Sequence, residues 1–272
     1  MDICKAAENS IIKKYRRTIW RPFIKALQDY RLVQDGDRIA VCISGGKDSM
    51  LMAKCLQELK RYSRTRFDLI FLVMDPGYSG DNLRIIEQNS VLLQIPITIF
   101  KTDIFEAIEE AGAHACYLCA RMRRGHLYKK ARELGGNKIA LAHHFDDVIE
   151  TTLLSMFYGG EIKAMLPKLH SKNFPGMELI RPLYLMREAS IIAWHKSLGL
   201  NFIRCACRKT EYFAADGCGD SKRQEIKELL KNLRQQNPNI EKNIFKSMEN
   251  VNLDTVMGYK LKNQRHSFLD SY

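Results

Sequence analysis

Six consecutive residues, Ser44-Gly45-Gly46-Lys47-Asp48-Ser49, have the types that handle a polyphosphate. They follow an apolar run over 39–43 and lead directly into a helical pattern over 48–61. Paired glycines let the backbone turn tightly and bring its N–H groups against phosphate oxygens, and a helix N-terminus adds partial positive charge. Ser44 and Ser49 can donate to phosphate, Lys47 offsets its charge, and Asp48 can hold Mg²⁺ or orient the reacting groups. The row is not a Walker A loop, which needs four residues between its glycines. It predicts a site for a nucleotide polyphosphate.

A second polar set, His143, His144, Asp146, Asp147 and Glu150, stands where an apolar strand gives way to a helix. Adjacent histidines leaving a strand point to opposite faces, so the pair does not suit one metal ion. The plainer reading is a polar helix start with acids near the dipole. Sulfur supplies the third set. Cys116 and Cys119 form a C-x-x-C, which two thiols in a turn could offer to zinc, to a cluster or to redox chemistry. Cys205 and Cys207 could complete a four-cysteine zinc site, although C-x-C is an unusual half-site for structural zinc. Cys4, Cys42 and Cys55 sit in helical or strand patterns as packing residues, and Cys218 has no assigned role. After the C-x-x-C come Arg121, Arg123, Arg124, Lys129, Lys130 and Arg132 without an acid among them. That run is either a solvated face or a grip on RNA phosphates, with His126 and Tyr128 free to stack on a base or to pack.

The whole chain agrees with an anionic partner. Lys and Arg number 43 against 31 Asp and Glu, a net charge of +12 over 272 residues. Such an excess favours a polyanion, because each phosphate neutralised releases a counterion. The apolar share of 46% and the charged share of 27% are those of an ordinary globule. No apolar run is long enough for a bilayer, and the basic N-terminus lacks a signal peptide's apolar core. A cytoplasmic protein without membrane contact is expected, and there eight cysteines suggest metal, cluster or redox chemistry before disulfides.

The elements that must hold these residues alternate. Strands are expected at 39–43, 69–74, 97–100 and 139–142, with a further one near 179–180 and a last one at or just before 202–203. Helices are expected at 48–61, 81–93, 104–110, 121–134, 146–157 and 188–198. This order predicts an α/β fold, a doubly wound parallel sheet covered on both faces, with ligands at the strands' C-terminal ends. A basic amphipathic helix over 3–31 precedes it, placing a first segment at 1–34 and the nucleotide domain at 35–215. Residues 216–272 would add helices at 222–234 and 240–248 and a loose polar tail.

Ser-Gly-Gly-Lys-Asp-Ser after an apolar strand resembles the PP-loop of the N-type ATP pyrophosphatases. More distant stretches resemble the tRNA 2-thiocytidine synthetases among them: Asp35-Gly36-Asp37-Arg38, Cys116-Tyr117-Leu118-Cys119, Leu141 to Thr151, Met156-Phe157-Tyr158-Gly159-Gly160, Leu166-Pro167-Lys168-Leu169 and Arg181-Pro182-Leu183. The similarity runs from about residue 10 to about residue 250. It implies cleavage of ATP to AMP and pyrophosphate, adenylation of a tRNA cytidine (position 32 by family analogy), and replacement of its oxygen by sulfur. Ser44 to Ser49 would bind ATP with Mg²⁺, Lys47 and Asp48 would be catalytic, and Met74, Asp75, His144 and Asp147 would lie beside the nucleotide. Cys116, Cys119 and Cys205, with Cys207 as the alternative third ligand, would hold a [4Fe-4S] cluster. Arg121, Arg123, Arg124, Lys129 and Lys130 would meet tRNA. A cysteine desulfurase or free sulfide would donate sulfur, and a homodimer is compatible. Rival readings are another PP-loop tRNA modifier, such as a lysidine or 2-thiouridine synthetase, and a non-catalytic iron–sulfur or zinc protein that binds RNA. The Cys205-Ala206-Cys207 spacing departs from the family's wider one.

Overall fold

The computed structural model describes residues 2–107, 115–203, 221–270 and 272, with only the backbone of 115–117 and 221. A six-stranded sheet forms the centre: β1 (Arg38–Ile43), β2 (Asp68–Asp75), β3 (Ile97–Lys101), β4 (Lys138–Ala140), β5 (Lys168–His170) and β6 (Glu178–Ile180). Their spatial order is β3-β2-β1-β4-β6-β5, parallel throughout except for the antiparallel edge strand β5. The doubly wound expectation holds. Order reverses between β1 and β4, and this switch point is where such sheets open a crevice at their C-terminal ends.

Alternation along the strands assigns the two faces. Ile39, Val41, Ile43, Phe71 and Val73 pack into one core with α3 (Lys47–Tyr62) and α8 (Glu188–Leu198). Ala40, Cys42, Leu72 and Met74 pack into the other, against Leu127, Tyr128 and Ala131 of α6 (Ala115–Glu133). Strands buried on both sides must be apolar at every position, and β1 and β2 are nearly so. Between β2 and α6 come α4 (Gly80–Leu92) and the short α5 (Ile104–Ala107). The expected helix 104–110 lies partly outside the described residues.

At the opposite, N-terminal edge of the sheet, Lys138 is buried on Asp37 at 2.8 Å and Glu178 at 3.2 Å. Asn137 donates to Asp37 at 2.9 Å and accepts from the Arg38 N–H at 2.8 Å. The Asp35-Gly36-Asp37-Arg38 stretch is therefore a clasp joining β1, β4 and β6. It stands away from the crevice.

The N-terminal helix departs from regular spacing. It comprises α1 (Ile3–Asn9), π-helical turns at Ser10–Lys14 and Arg16–Trp20, and α2 (Arg21–Asp29). Wider turns shift the buried face, so Ala7 and Ile11 join Ile19, Phe23 and Leu27 in the core while Ile12 and Tyr15 are only partly buried. Further expectations need correction. The C-x-x-C lies in the first turns of α6, not in a turn before a helix starting at 121. β5 is too short to have shown in the sequence. Residues 202–203 form no strand: the Ile203 N–H donates to the Gly45 carbonyl at 3.3 Å, and its side chain covers the glycine.

The chain divides into two compact units, Met1–Val148 with Met165–Lys222, and Ile149–Ala164 with Arg223–Tyr272. The second holds the distal part of α7 (Phe145–Gly159), α9 (Ser221–Gln236) and α10 (Ile240–Glu249). Within it the buried Glu150 accepts from Arg223 at 2.8 Å, so this acid of the second polar set is structural. The expected loose tail instead forms an antiparallel hairpin, β7 (Gly258–Leu261) and β8 (Gln264–Ser267). Among the described residues no helix is long and apolar enough to cross a membrane.

Candidate functional site

A cavity of about 400 Å³ opens at the switch point, lined by the ends of β1, β2 and β4, by the phosphate-type loop and by α6. Its volume suits a nucleotide. Gly46 caps α3, so the free N–H groups of the helix's first turn lie at the loop, where an anion is favoured. Gly45 has φ +82°, and a Cβ there would stand 2.5 Å from Ile86 Cγ1 and 2.7 Å from Ile203 Cδ1. Only glycine fits. Ser49 Oγ accepts from the Ser44 N–H at 3.2 Å and donates to the Gly46 carbonyl at 2.9 Å, which fixes the loop before any ligand arrives.

Charges in the loop are arranged in a chain. Lys47 Nζ lies 3.1 Å from Asp48 Oδ2 and 3.2 Å from Glu188 Oε1. Burial would lower its pKa, but the two carboxylates outweigh this and raise it, so Lys47 is a fixed cation. Glu188 opens α8, and its N–H donates to Asp146 Oδ2 at 2.8 Å, while Asp146 Oδ1 pairs with Arg187 at 3.0 Å. Asp48 Oδ1 is buried without a hydrogen-bond partner among the described residues. A buried carboxylate oxygen left without a partner is costly, and a cation would satisfy it. The donor set therefore fits Mg²⁺ delivered with a nucleotide.

The second polar set separates. His143 lines the cavity, as does Met74. His144 is buried, and its N–H donates to Asp147 Oδ2 at 3.0 Å while the Asp147 N–H donates to His144 Nδ1 at 3.4 Å. That reciprocal pair caps α7 and leaves neither residue on the cavity wall. Asp75 is likewise turned away: its Oδ1 accepts from the Gly77 and Tyr78 N–H groups at 3.0 and 2.7 Å. Tyr78 itself lines the cavity.

Along α6 the basic run also divides. Arg123 and Arg124 line the cavity, and Arg123 Nε is buried with no hydrogen-bond partner among the described residues while its guanidinium lies over the Phe105 ring at 5.5 Å. Arg121 and Lys129 are exposed, and Lys130 pairs with Glu133 at 3.1 Å. Tyr128 is core, stacked on Phe174 at 5.2 Å, so it offers no platform for a base. Sequence reasoning misses Glu188 and Tyr78 at the site and assigns Arg123 and Arg124 elsewhere. Arg123 falls one helical turn beyond Cys119, a periodic signal once the helix is known to begin at Ala115.

Positions 116 and 119, three apart in α6, share one face of the helix, and Ala120 beside them lines the cavity. Ile203 lies over the phosphate loop, two residues before Cys205 in sequence. Cys205, Cys207 and Cys218 lie outside the described residues, as does the Cys116 side chain. Among the described residues no group of three His, Cys, Asp or Glu could hold a metal. The spacing of positions 116 and 119 on the helix backbone is compatible with a cluster held partly by residues further on.

The motifs at 166–169 and 181–183 meet one another. Arg181 donates to the Leu166 carbonyl, its N–H donates to the Pro167 carbonyl at 2.9 Å, and Tyr184 donates to the Met165 carbonyl at 2.7 Å. Burial lowers the Arg181 pKa to about 10.

The sheet order, the glycine turn after β1 and the free N–H groups of α3 define an α/β nucleotide-binding protein. The PP-loop domain family matches residues 16–213. A tRNA-cytidine(32) 2-sulfurtransferase from Coxiella burnetii is 36% identical over 90% of this chain and 94% of its own. One from Pelobacter propionicus is 38% identical over 88% and 87%. The chain belongs to the tRNA-cytidine(32) 2-sulfurtransferase family of PP-loop proteins. A solved structure, the U34-tRNA thiolase NcsA from Methanococcus maripaludis with its [4Fe-4S] cluster, shares the fold at a TM-score of 0.68 and 20% identity, covering 89% of this chain and 80% of that one.

Proposed function

We propose that this chain is an ATP-dependent tRNA sulfurtransferase that converts cytidine at position 32 of tRNA to 2-thiocytidine. The observation that carries the reading is one cavity walled by the phosphate loop on one side and by the C-x-x-C helix on the other. Activation and sulfur delivery need to meet at one carbon, and this cavity brings their two elements together.

The α3 N-terminus and Lys47 bind the ATP phosphates, and Asp48 holds Mg²⁺ through its free Oδ1. Glu188 keeps Lys47 aimed at the loop. Arg123 and Arg124 stand across the cavity to receive negative charge as the cytosine O2 attacks the α-phosphorus and pyrophosphate departs. AMP then carries O2 away when sulfur takes its place at C2. A [4Fe-4S] cluster on Cys116, Cys119 and Cys205 would supply that sulfur from an iron lacking a protein ligand. Free sulfide would replenish it directly, and a cysteine desulfurase's persulfide would do so once a thiol reductant has supplied two electrons. Arg121 and Lys129, exposed on the same helix, face tRNA, and such a substrate sets the reaction in the cytoplasm.

Anaerobically reconstituted protein should release AMP and pyrophosphate only when ATP and tRNA are both present, with no need for lysine. Release that requires lysine would mean a lysidine synthetase. No release under any combination would leave the non-catalytic RNA-binding reading in its place.

A further inference from the structure

We infer that the β7–β8 hairpin is an RNA-binding element that takes the phosphates and an unpaired base of the tRNA. The choice of tRNA rests on the function proposed above; the binding chemistry rests on the hairpin. Lys260 stands directly opposite Arg265 in the ladder. Like charges at opposed positions destabilise a hairpin. The turn is made by Lys262 at φ 48° and Asn263 at φ 68°, so a lysine occupies a left-handed position that glycine, asparagine or aspartate would fill with less strain. No acid occurs between Gly258 and Ser267. Lys260, Lys262 and Arg265 are all exposed, and none has an ion-pair partner among the described residues.

Three cations at the end of a small hairpin thus oppose its folding, and a polyanion would relieve the repulsion. The alternate face adds the second half of the argument. Tyr259 lies opposite His266, their rings stacked at 4.7 Å and 14°, with Leu261 exposed beyond them. The hairpin thus carries an aromatic pair on one face and a cationic pair on the other, with Lys262 at the turn that joins them. An acidic peptide would answer the cations and leave the rings without a use. RNA answers both, because phosphates meet Lys and Arg while unpaired bases stack on aromatic faces.

The test uses the full chain and a tRNA transcript, with affinity measured across a range of salt concentrations. Lys260→Glu with Arg265→Glu should weaken binding about tenfold and reduce the log–log salt slope by roughly 1.4 to 1.8, the share of two phosphate contacts. Tyr259→Ala should weaken binding about tenfold with the slope unchanged, since it removes stacking alone. ATP binding should be unaffected in both. If the native chain binds tRNA and both variants match it in affinity and slope, the hairpin assignment is overturned while the tRNA reading stands. If the native chain binds no tRNA, both fall. Binding to phosphatidylglycerol vesicles that the charge reversal abolishes, with tRNA affinity unchanged, would give the hairpin to a membrane surface and overturn the inference.

Discussion

The proposed ATP cleavage turns on Asp48. One carboxylate oxygen is held by Lys47 and the other is buried without a hydrogen-bond partner among the described residues, an arrangement that suits a cation. Asp48→Asn should reduce tRNA-dependent AMP release by about 10²-fold or more, the scale of losing a charged group at a developing negative charge, with the fold intact by circular dichroism. Native-rate release would remove Asp48 from the chemistry. Asp37 is the contrasting acid. Asp37→Ala leaves the buried Lys138 with Glu178 as its carboxylate and removes the acceptor of Asn137, and should cost roughly 1–3 kcal/mol in denaturant unfolding while activity per folded molecule persists. Both acids lie in motifs that carry the family resemblance, and only geometry separates the proposed catalytic role from the structural one. His144, Asp147 and Asp75 teach the same lesson in reverse. The family resemblance implies that they lie beside the nucleotide, yet each is occupied capping a helix or a turn, because short polar side chains beside a strand end meet N–H groups close by.

At the scale of elements, the phosphate loop and the strands are legible because glycine, apolar runs and helix starts are local signals. The start of α6 is not. Its first two turns carry two cysteines and no cap pattern, so the sequence suggests a turn until Arg121. Placing Cys116 and Cys119 on a helix face sharpens the cluster proposal. Ser variants at 116, 119 and 205 should each lose the brown absorbance of reconstituted protein and tRNA thiolation together, while the variant at 207 keeps both. If all four keep the cluster, the ligand set is wrong; if zinc appears instead, the site is structural. The N-terminal π turns and the terminal hairpin also escape prediction, the first by breaking the 3.6 period and the second through strands of only four residues. One electrostatic tie holds the N-terminal helix to α3. Lys54, buried, reaches Glu8 at 2.9 Å and Cys4 at 3.3 Å. Burial would raise the Glu8 pKa, but hydrogen bonds from Arg61, Lys54 and Cys4 outweigh it and hold it down from 4.5 to about 2. A depressed carboxylate contributes stability above its unfolded pKa and loses it as pH falls through the folded one. Thermal stability should therefore drop between pH 4.5 and about 2, and Glu8→Gln should flatten that part of the curve. An identical acid profile in the variant would show the tie to be inert.

For the whole molecule, a net charge of +12 and a doubly wound sheet are both readable from the sequence; the first suits a polyanionic partner and the second opens a crevice. The substrate is not readable in that way, since many functions share this architecture and only the cysteine positions and the shared motifs narrow it. The central claim is that this chain puts sulfur into a tRNA cytidine. Nucleosides digested from the total tRNA of a strain lacking the gene, analysed by mass spectrometry, test it most directly. The account predicts that 2-thiocytidine disappears, returns with the native gene and stays absent with Asp48→Asn. A deletion strain with undiminished 2-thiocytidine would contradict it.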